Sequence, residues 1–224
     1  HKQYLLPSAI FKNFQSRGRM TEVIYILLAY LIGAIPTAIL IGKWKYGIDI
    51  REHGSKNAGA TNTFRVLGKK PGKVVLAIDI LKGIVAVSLP FIFGYAHWQS
   101  DKLIQLQLVL GLIAVVGHVL PVYAQFRGGK GVATSLGIII GIHPLLALIC
   151  LGIFLVIFII SSYVSLGALM AAISFPILLH LLFKNDNLYF TIFSIVLSLA
   201  VIFAHKKNIK RLLEGNENKI NLFG

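Results

Sequence analysis

The feature that most constrains this chain is a stretch of 53 residues, Gly131 to Phe183, without a single Asp, Glu, Lys or Arg. No water-facing surface can be built from such a run. Crossing about 30 Å of hydrocarbon takes about 20 helical residues, so the run supplies two comfortable membrane spans or three short ones. Breakers at Gly141-Ile142-His143-Pro144 and at Ser161-Ser162 favour three pieces. Composition points to the same solvent. Charged residues make up 13% of the chain and hydrophobic ones 56%, whereas a soluble domain is about 25% charged.

Other spans flank the run. Val23 to Gly42 is uncharged, Val74 to about His97 carries only Asp79 and Lys82, Leu103 to Phe126 is uncharged, and Leu188 to Ala204 is the last. Charge sets the parity. Eight of the 22 basic residues lie between Lys43 and Lys73, and five follow the final span (Lys206, Lys207, Lys210, Arg211 and Lys219). Placing both groups in the cytoplasm satisfies the positive-inside bias only if the 53-residue run crosses three times. The expected fold class is therefore an all-α integral membrane protein with seven transmembrane helices, some short, the amino terminus outside and the carboxyl terminus cytoplasmic. Residues 1–19, polar and with four basic residues ahead of Met20, read as a non-native or disordered extension. Residues 20–224 form one transmembrane domain, with no internal repeat.

The net charge of +14 is mostly that topological bias. No soluble basic domain exists to carry nucleic acid. The lone cysteine, Cys150, excludes a disulfide framework and a Cys-rich zinc site.

Three segments could carry chemistry. In the first, His53 to Arg65, small residues alternate with hydroxyls and amides (HGSKNAGATNTFR). Glycines let successive N–H groups converge on an anion, Ser, Thr and Asn add neutral donors, and Arg65 offers a bidentate fork for phosphate. A plain polar loop between spans would use many of the same residues. The second, Phe126-Arg127-Gly128-Gly129-Lys130-Gly131-Val132-Ala133-Thr134, sets a glycine turn at the start of a helix-compatible stretch, an anion site to which Lys130 adds a charge. It lacks Walker A spacing. In the third, His205, Asn208 and Arg211 recur at helical spacing, so one face presents imidazole, amide and guanidinium; a snorkelling basic cap would look similar. Asp79 and Lys82, at i and i+3 inside a span, suit a structural ion pair as well as a site. His97, His118, His143 and His180 lack metal-ligand spacing.

Absences narrow the reaction. The chain contains no G-x-S-x-G elbow, no H-E-x-x-H motif, and no histidine five residues before an aspartate. Phosphate-binding residues are present without an obvious strong base or nucleophile.

In these segments the chain resembles the bacterial acyl-phosphate:glycerol-3-phosphate acyltransferases. GSKNAGATNTFR (54–65) is similar to that family's G-S-G-N-x-G-A-T-N-x-x-R. Gly117-His118 through Pro121 to Thr134 is similar to its G-H-x-x-P and F-x-G-G-K-G-V-A-T block, and His205 to Glu217 to its H-R-x-N-I-x-R-L-x-x-G-x-E tail. Asp79, Lys82 and Gly83 resemble its D-x-x-K-G. Lys56 departs from a family glycine and Lys206 from a family arginine. The likeness runs from Met20 to about Glu217.

The resemblance implies transfer of a fatty acyl group from acyl-phosphate to the 1-hydroxyl of sn-glycerol 3-phosphate, giving lysophosphatidic acid and phosphate, the first step of bacterial phospholipid synthesis. It implies a multi-pass protein of the bacterial inner membrane with a cytoplasmic active site. Its partners are the two substrates and membrane lipid, with no cofactor, no metal, no nucleic acid and no obligate protein partner. By the same resemblance, the catalytic set is Ser55, Asn62, Arg65, Lys130, His205 and Asn208. Gly54, Asn57, Gly59, Thr61, Gly128, Gly129, Gly131 and Arg211 bind substrate. The rival classes are an organic-anion transporter, which clustering of the cations on one face and the lack of an inverted repeat disfavour, and a scaffold for anionic head groups.

Overall fold

The computed structural model of the chain describes residues 8–93 and 101–220. Among them every regular element is helical: α1 (Ser8–Gly33), α2 (Thr37–Tyr46), α3 (Ala60–Leu67), α4 (Lys69–Ile92), α5 (Asp101–Val119), α6 (Val132–Ile142), α7 (Pro144–Ser161), α8 (Val164–Leu181), α9 (Leu188–Ala204) and α10 (Lys206–Leu213). Four helices are long and apolar enough to cross a membrane: α4, α5 with the turn after it, α7 and α8. The number rises to six if the bent pairs α1/α2 and α9/α10 each count once. Of the segment 1–19, residues 1–7 lie outside the described residues, and α1 begins at Ser8.

The 53-residue run divides into three helices at the breakers. His143 caps α7, its Nδ1 accepting from the Leu146 N–H at 3.3 Å. Ser162 ends α7 in the left-handed region (φ 62°), and the Ser161 hydroxyl accepts from the Tyr163 N–H to start the reversal. With 11 residues, α6 extends about 16 Å, half of a hydrocarbon core. It packs parallel to α4, with Gly137 on Ile80 and Gly141 on Ile84 and Val87. A methyl group at Gly83 or Gly137 would strike the carbonyl of Thr134 or Ile80, so backbone meets backbone here, as small residues allow in lipid.

Two expectations need correcting. The uncharged run Val23–Gly42 is not one straight helix: α1 and α2 meet at 42°, because Pro36 lacks an N–H and disfavours helix at Ile35. The strongly basic 43–73 stretch is not all loop either, since it holds α3 and the start of α4. α3 is amphipathic and its Phe64 ring fills the space a side chain at Gly72 would take. The second span is α4, ending at Ile92; residues 94–100, which include His97 and most of the following loop, lie outside the described residues.

Phe175, Phe190, Phe193, Leu146 and Leu179 build the main core. On α7 the outward face leaves Leu148 63% and Ile160 78% exposed, a surface that suits lipid and would be a liability in water. The helix ends gather at two poles. At one, Arg51 Nη1 donates to the Ala124 carbonyl (3.0 Å), the Arg65 guanidinium to the Asn218 carbonyl (3.1 Å), and the Ile220 N–H to the Ser162 carbonyl (3.0 Å). At the other, the His143 and Phe183 rings pack edge to face at 4.5 Å.

Candidate active site

Asn62 shapes the first loop. It is buried, its amide nitrogen donates to the carbonyls of Ile50 (2.9 Å) and His53 (3.0 Å), and its oxygen accepts from the Ser55 N–H (2.8 Å). The side chain that the resemblance puts in the catalytic set is thus engaged within its own loop. Gly54 turns at φ +56°, where a side chain would collide with Asn62 and Val66. Lys56 also lies in the left-handed region (φ 58°), which accounts for the glycine that the related motif carries there. Gly59 caps α3, and both the N–H and hydroxyl of Thr63 donate to its carbonyl at 3.1 Å. Ser55 is exposed, Asn57 and Thr61 are half-buried, and Arg65 is half-buried in the last turn of α3.

The second turn is stitched to the end of α5. The Gly128 N–H donates to the Val119 carbonyl (3.1 Å) and the Gly129 N–H to that of His118 (3.2 Å). Those two amides, expected to bind substrate, serve the carbonyls that the end of α5 leaves free. Gly131 caps α6 at φ 82°. The first N–H groups of α6 therefore open beside Lys130.

α10 completes the group. Lys130 Nζ donates to Asn208 Oδ1 (2.5 Å), and Asn208 Nδ2 donates to Glu217 Oε1 (2.8 Å). Glu217 also accepts from Arg211 Nε (2.7 Å) and the Ser165 hydroxyl (3.1 Å). Since Asn218 takes the Arg65 guanidinium, residues 217–218 join all three segments. Sequence reasoning left Glu217, Ser165 and Asn218 out of the site; Glu217 had been visible as the final residue of the tail motif. Arg211 meets substrate only with whatever donors Glu217 does not take.

Burial pushes the Lys130 ammonium down to about 8, opposed by Glu217 and reinforced by Arg211 and Arg65. Burial likewise lowers Arg65, with Glu217 raising it and Arg211 lowering it. For Glu217, burial alone would raise the pKa, but hydrogen bonds from Arg211, Asn208 and Ser165 outweigh it and hold the group below the usual carboxylate range. Burial and Lys130 push His205 down to about 4. Its Nδ1 lies 2.8 Å from the Val201 carbonyl. A carbonyl can only accept, so Nδ1 carries the proton and Nε2 keeps a free lone pair. Among the described residues no three of His, Cys, Asp and Glu lie close enough to hold a metal ion.

The family model described as glycerol-3-phosphate acyltransferase matches residues 23–215. A glycerol-3-phosphate acyltransferase of Chlorobaculum tepidum is 44% identical over 226 residues, covering 90% of this chain and 97% of the relative. One from Geobacillus kaustophilus is 46% identical over 201 residues, covering 90% and 96%. Among solved structures, the glycerol 3-phosphate form of PlsY (YgiH), an integral membrane glycerol 3-phosphate acyltransferase, is similar with a TM-score of 0.80 and 36% identity over 91% of this chain and 99% of that one. Its lysophosphatidic acid form gives 0.77 and 36% over 89% and 95%.

Proposed function

The chain belongs to the glycerol-3-phosphate acyltransferase family, and from that premise we propose that it acylates the 1-hydroxyl of sn-glycerol 3-phosphate from acyl-phosphate, releasing lysophosphatidic acid and phosphate. The carrying observation is the charge balance of the cluster. Among the described residues it sets Arg65, Lys130 and Arg211 against the single carboxylate of Glu217. Two positive charges are left over, the complement of a phosphate dianion in a partly dry site.

Arg65 and Lys130 hold the phosphate of glycerol 3-phosphate, and Asn208 orients Lys130. Ser55, Asn57, Thr61 and the amides around Gly54 and Gly59 face the acyl-phosphate, with Asn62 fixing their loop. The hydroxyl oxygen attacks the acyl carbon, the bond from that carbon to the phosphate oxygen breaks, and an ester forms. His205 Nε2 accepts a hydrogen bond from the attacking hydroxyl and orients it. Burial and the nearby Lys130 disfavour an imidazolium at His205, so we assign the proton to the departing phosphate. With an activated donor, positioning and charge neutralisation supply much of the rate.

We place the chain in the bacterial inner membrane with seven crossings, the amino terminus outside and the cationic pole in the cytoplasm. The parallel run of α4 and α6, and the return of α7 and α9 to the cationic pole, support that count. Membrane lipid surrounds the bundle, and the reading requires no protein partner. The test is direct: protein purified in detergent should release phosphate from palmitoyl-phosphate only when glycerol 3-phosphate is present. Release without the acceptor, or none with it, would refute the assignment.

A further inference from the structure

Asp79, Lys82 and His118 are all buried, and the chemistry above uses none of them. Asp79 Oδ1 accepts from the Thr37 hydroxyl (3.1 Å) and stands 2.9 Å from Lys82 Nζ. Lys82 donates onward to the Ile35 carbonyl (3.1 Å), at the break between α1 and α2. On the other side, His118 Nδ1 lies 3.9 Å from Asp79 Oδ1 and 3.1 Å from the Thr134 hydroxyl. The ring is thereby held by a hydrogen bond with α6 and faces the carboxylate of α4, while its own backbone belongs to α5.

The ring then meets the glycine turn. The His118 carbonyl takes the Gly129 N–H, and a side chain on Gly129 would strike His118 Nε2. The same Cβ position lies 3.2 Å from the Ala58 carbonyl of the first loop. Imidazole, glycine turn and first loop thus meet at one point, and a small cavity lined by Thr37, Asp79, Lys82, His118, Ala58 and Gly129 marks the seam. Lys130 is the next residue. Its ammonium can reach Asn208 and a substrate phosphate together only if the turn is held at one height, and an error of about 1 Å can cost ~100-fold.

We infer that His118, oriented by Thr134, is a positioning residue that sets the height of the Gly129–Lys130 turn and so the affinity for glycerol 3-phosphate. The inference rests on the role of Lys130 proposed above. A network that merely holds four helices together would lower stability and active fraction without favouring one substrate. A positioning device acts on the substrate that Lys130 holds.

The test is steady-state kinetics in detergent on His118→Ala, Thr134→Val, Lys130→Ala and the double variant His118→Ala/Lys130→Ala. His118→Ala should raise KM for glycerol 3-phosphate about 10-fold and leave KM for palmitoyl-phosphate unchanged; Thr134→Val should do the same by about 3-fold. Adding His118→Ala to Lys130→Ala should cost little more, since a turn with nothing to present needs no positioning. The inference is overturned if His118→Ala lowers kcat alone, or if its loss multiplies in full with that of Lys130→Ala. Should His118→Ala lose its thermal transition, Thr134→Val decides, and an unchanged KM for glycerol 3-phosphate overturns the idea. Wild-type kinetics in Lys130→Ala would sink the site assignment as well, whereas every other adverse outcome touches only His118.

Discussion

The polar group around Asp79 and the one around Lys130 use the same residue types, yet they handle charge in opposite ways. Inside the bundle Asp79 and Lys82 neutralise each other, and their remaining bonding capacity goes to Thr37 and to the Ile35 carbonyl. The inner group is closed. At the helix ends Glu217 is saturated by Arg211, Asn208 and Ser165, while Arg65 and Lys130 make single contacts to uncharged oxygens. The outer group is open to an anion. Intramembrane charge alone therefore does not mark a substrate site; what marks it is charge the protein leaves unbalanced.

The largest effect should come from breaking the closed group. Asp79→Ala strands a buried ammonium and should cost about 3–5 kcal/mol, whereas replacing both Asp79 and Lys82 by Leu and Met should recover most of it; unfolding midpoints in detergent report both. If the double replacement is no better than the single one, the pair is not a closed structural unit. The open group should behave in reverse. Arg65→Ala or Lys130→Ala should lower kcat/KM for glycerol 3-phosphate by at least about 10-fold, since a charged contact of about 2 kcal/mol corresponds to roughly 30-fold. The unfolding midpoint should stay level or rise, because each removes like-charge repulsion.

Protonation sharpens the contrast further. Burial lowers Lys130 from 10.5 to about 8, so between those values the folded state binds fewer protons than the unfolded one. The stability of the substrate-free protein should therefore rise with pH through that window. Affinity for glycerol 3-phosphate should fall over the same window as the ammonium is lost, and Lys130→Arg should abolish that limb in plots of kcat/KM against pH. Parallel movement of stability and affinity would contradict the open-site picture. The smallest effect concerns Lys56, whose positive φ carries a side-chain penalty. Lys56→Gly should raise stability by about 1 kcal/mol, measured as a higher unfolding midpoint.

Much of this was legible in the residues themselves. Gly141 to Pro144 and Ser161-Ser162 end helices because their backbone preferences are local, and α6, α7 and α8 divide there. Pro36 was equally visible, yet the uncharged run around it reads as one span until the bend is seen. α3 was missed because eight residues with a narrow apolar face barely differ from a polar loop. The three motifs could be found one by one, but Asn62 and Gly128 could not be separated from substrate ligands. Whether an amide or N–H is free depends on partners elsewhere in the chain: Ile50 and His53 for Asn62, Val119 for Gly128.

By itself the sequence determined the solvent, the helical class, the main breaks and the chemistry of each polar segment, since all of these follow from short-range composition and periodicity. The tertiary structure alone decided which donors are consumed and which charges stay open. Glu217 meets Ser165 across 52 residues, Lys130 meets Asn208 across 78, and Arg65 meets Asn218 across 153. No local rule reaches that far; only packing of the helices brings such groups to hydrogen-bonding distance.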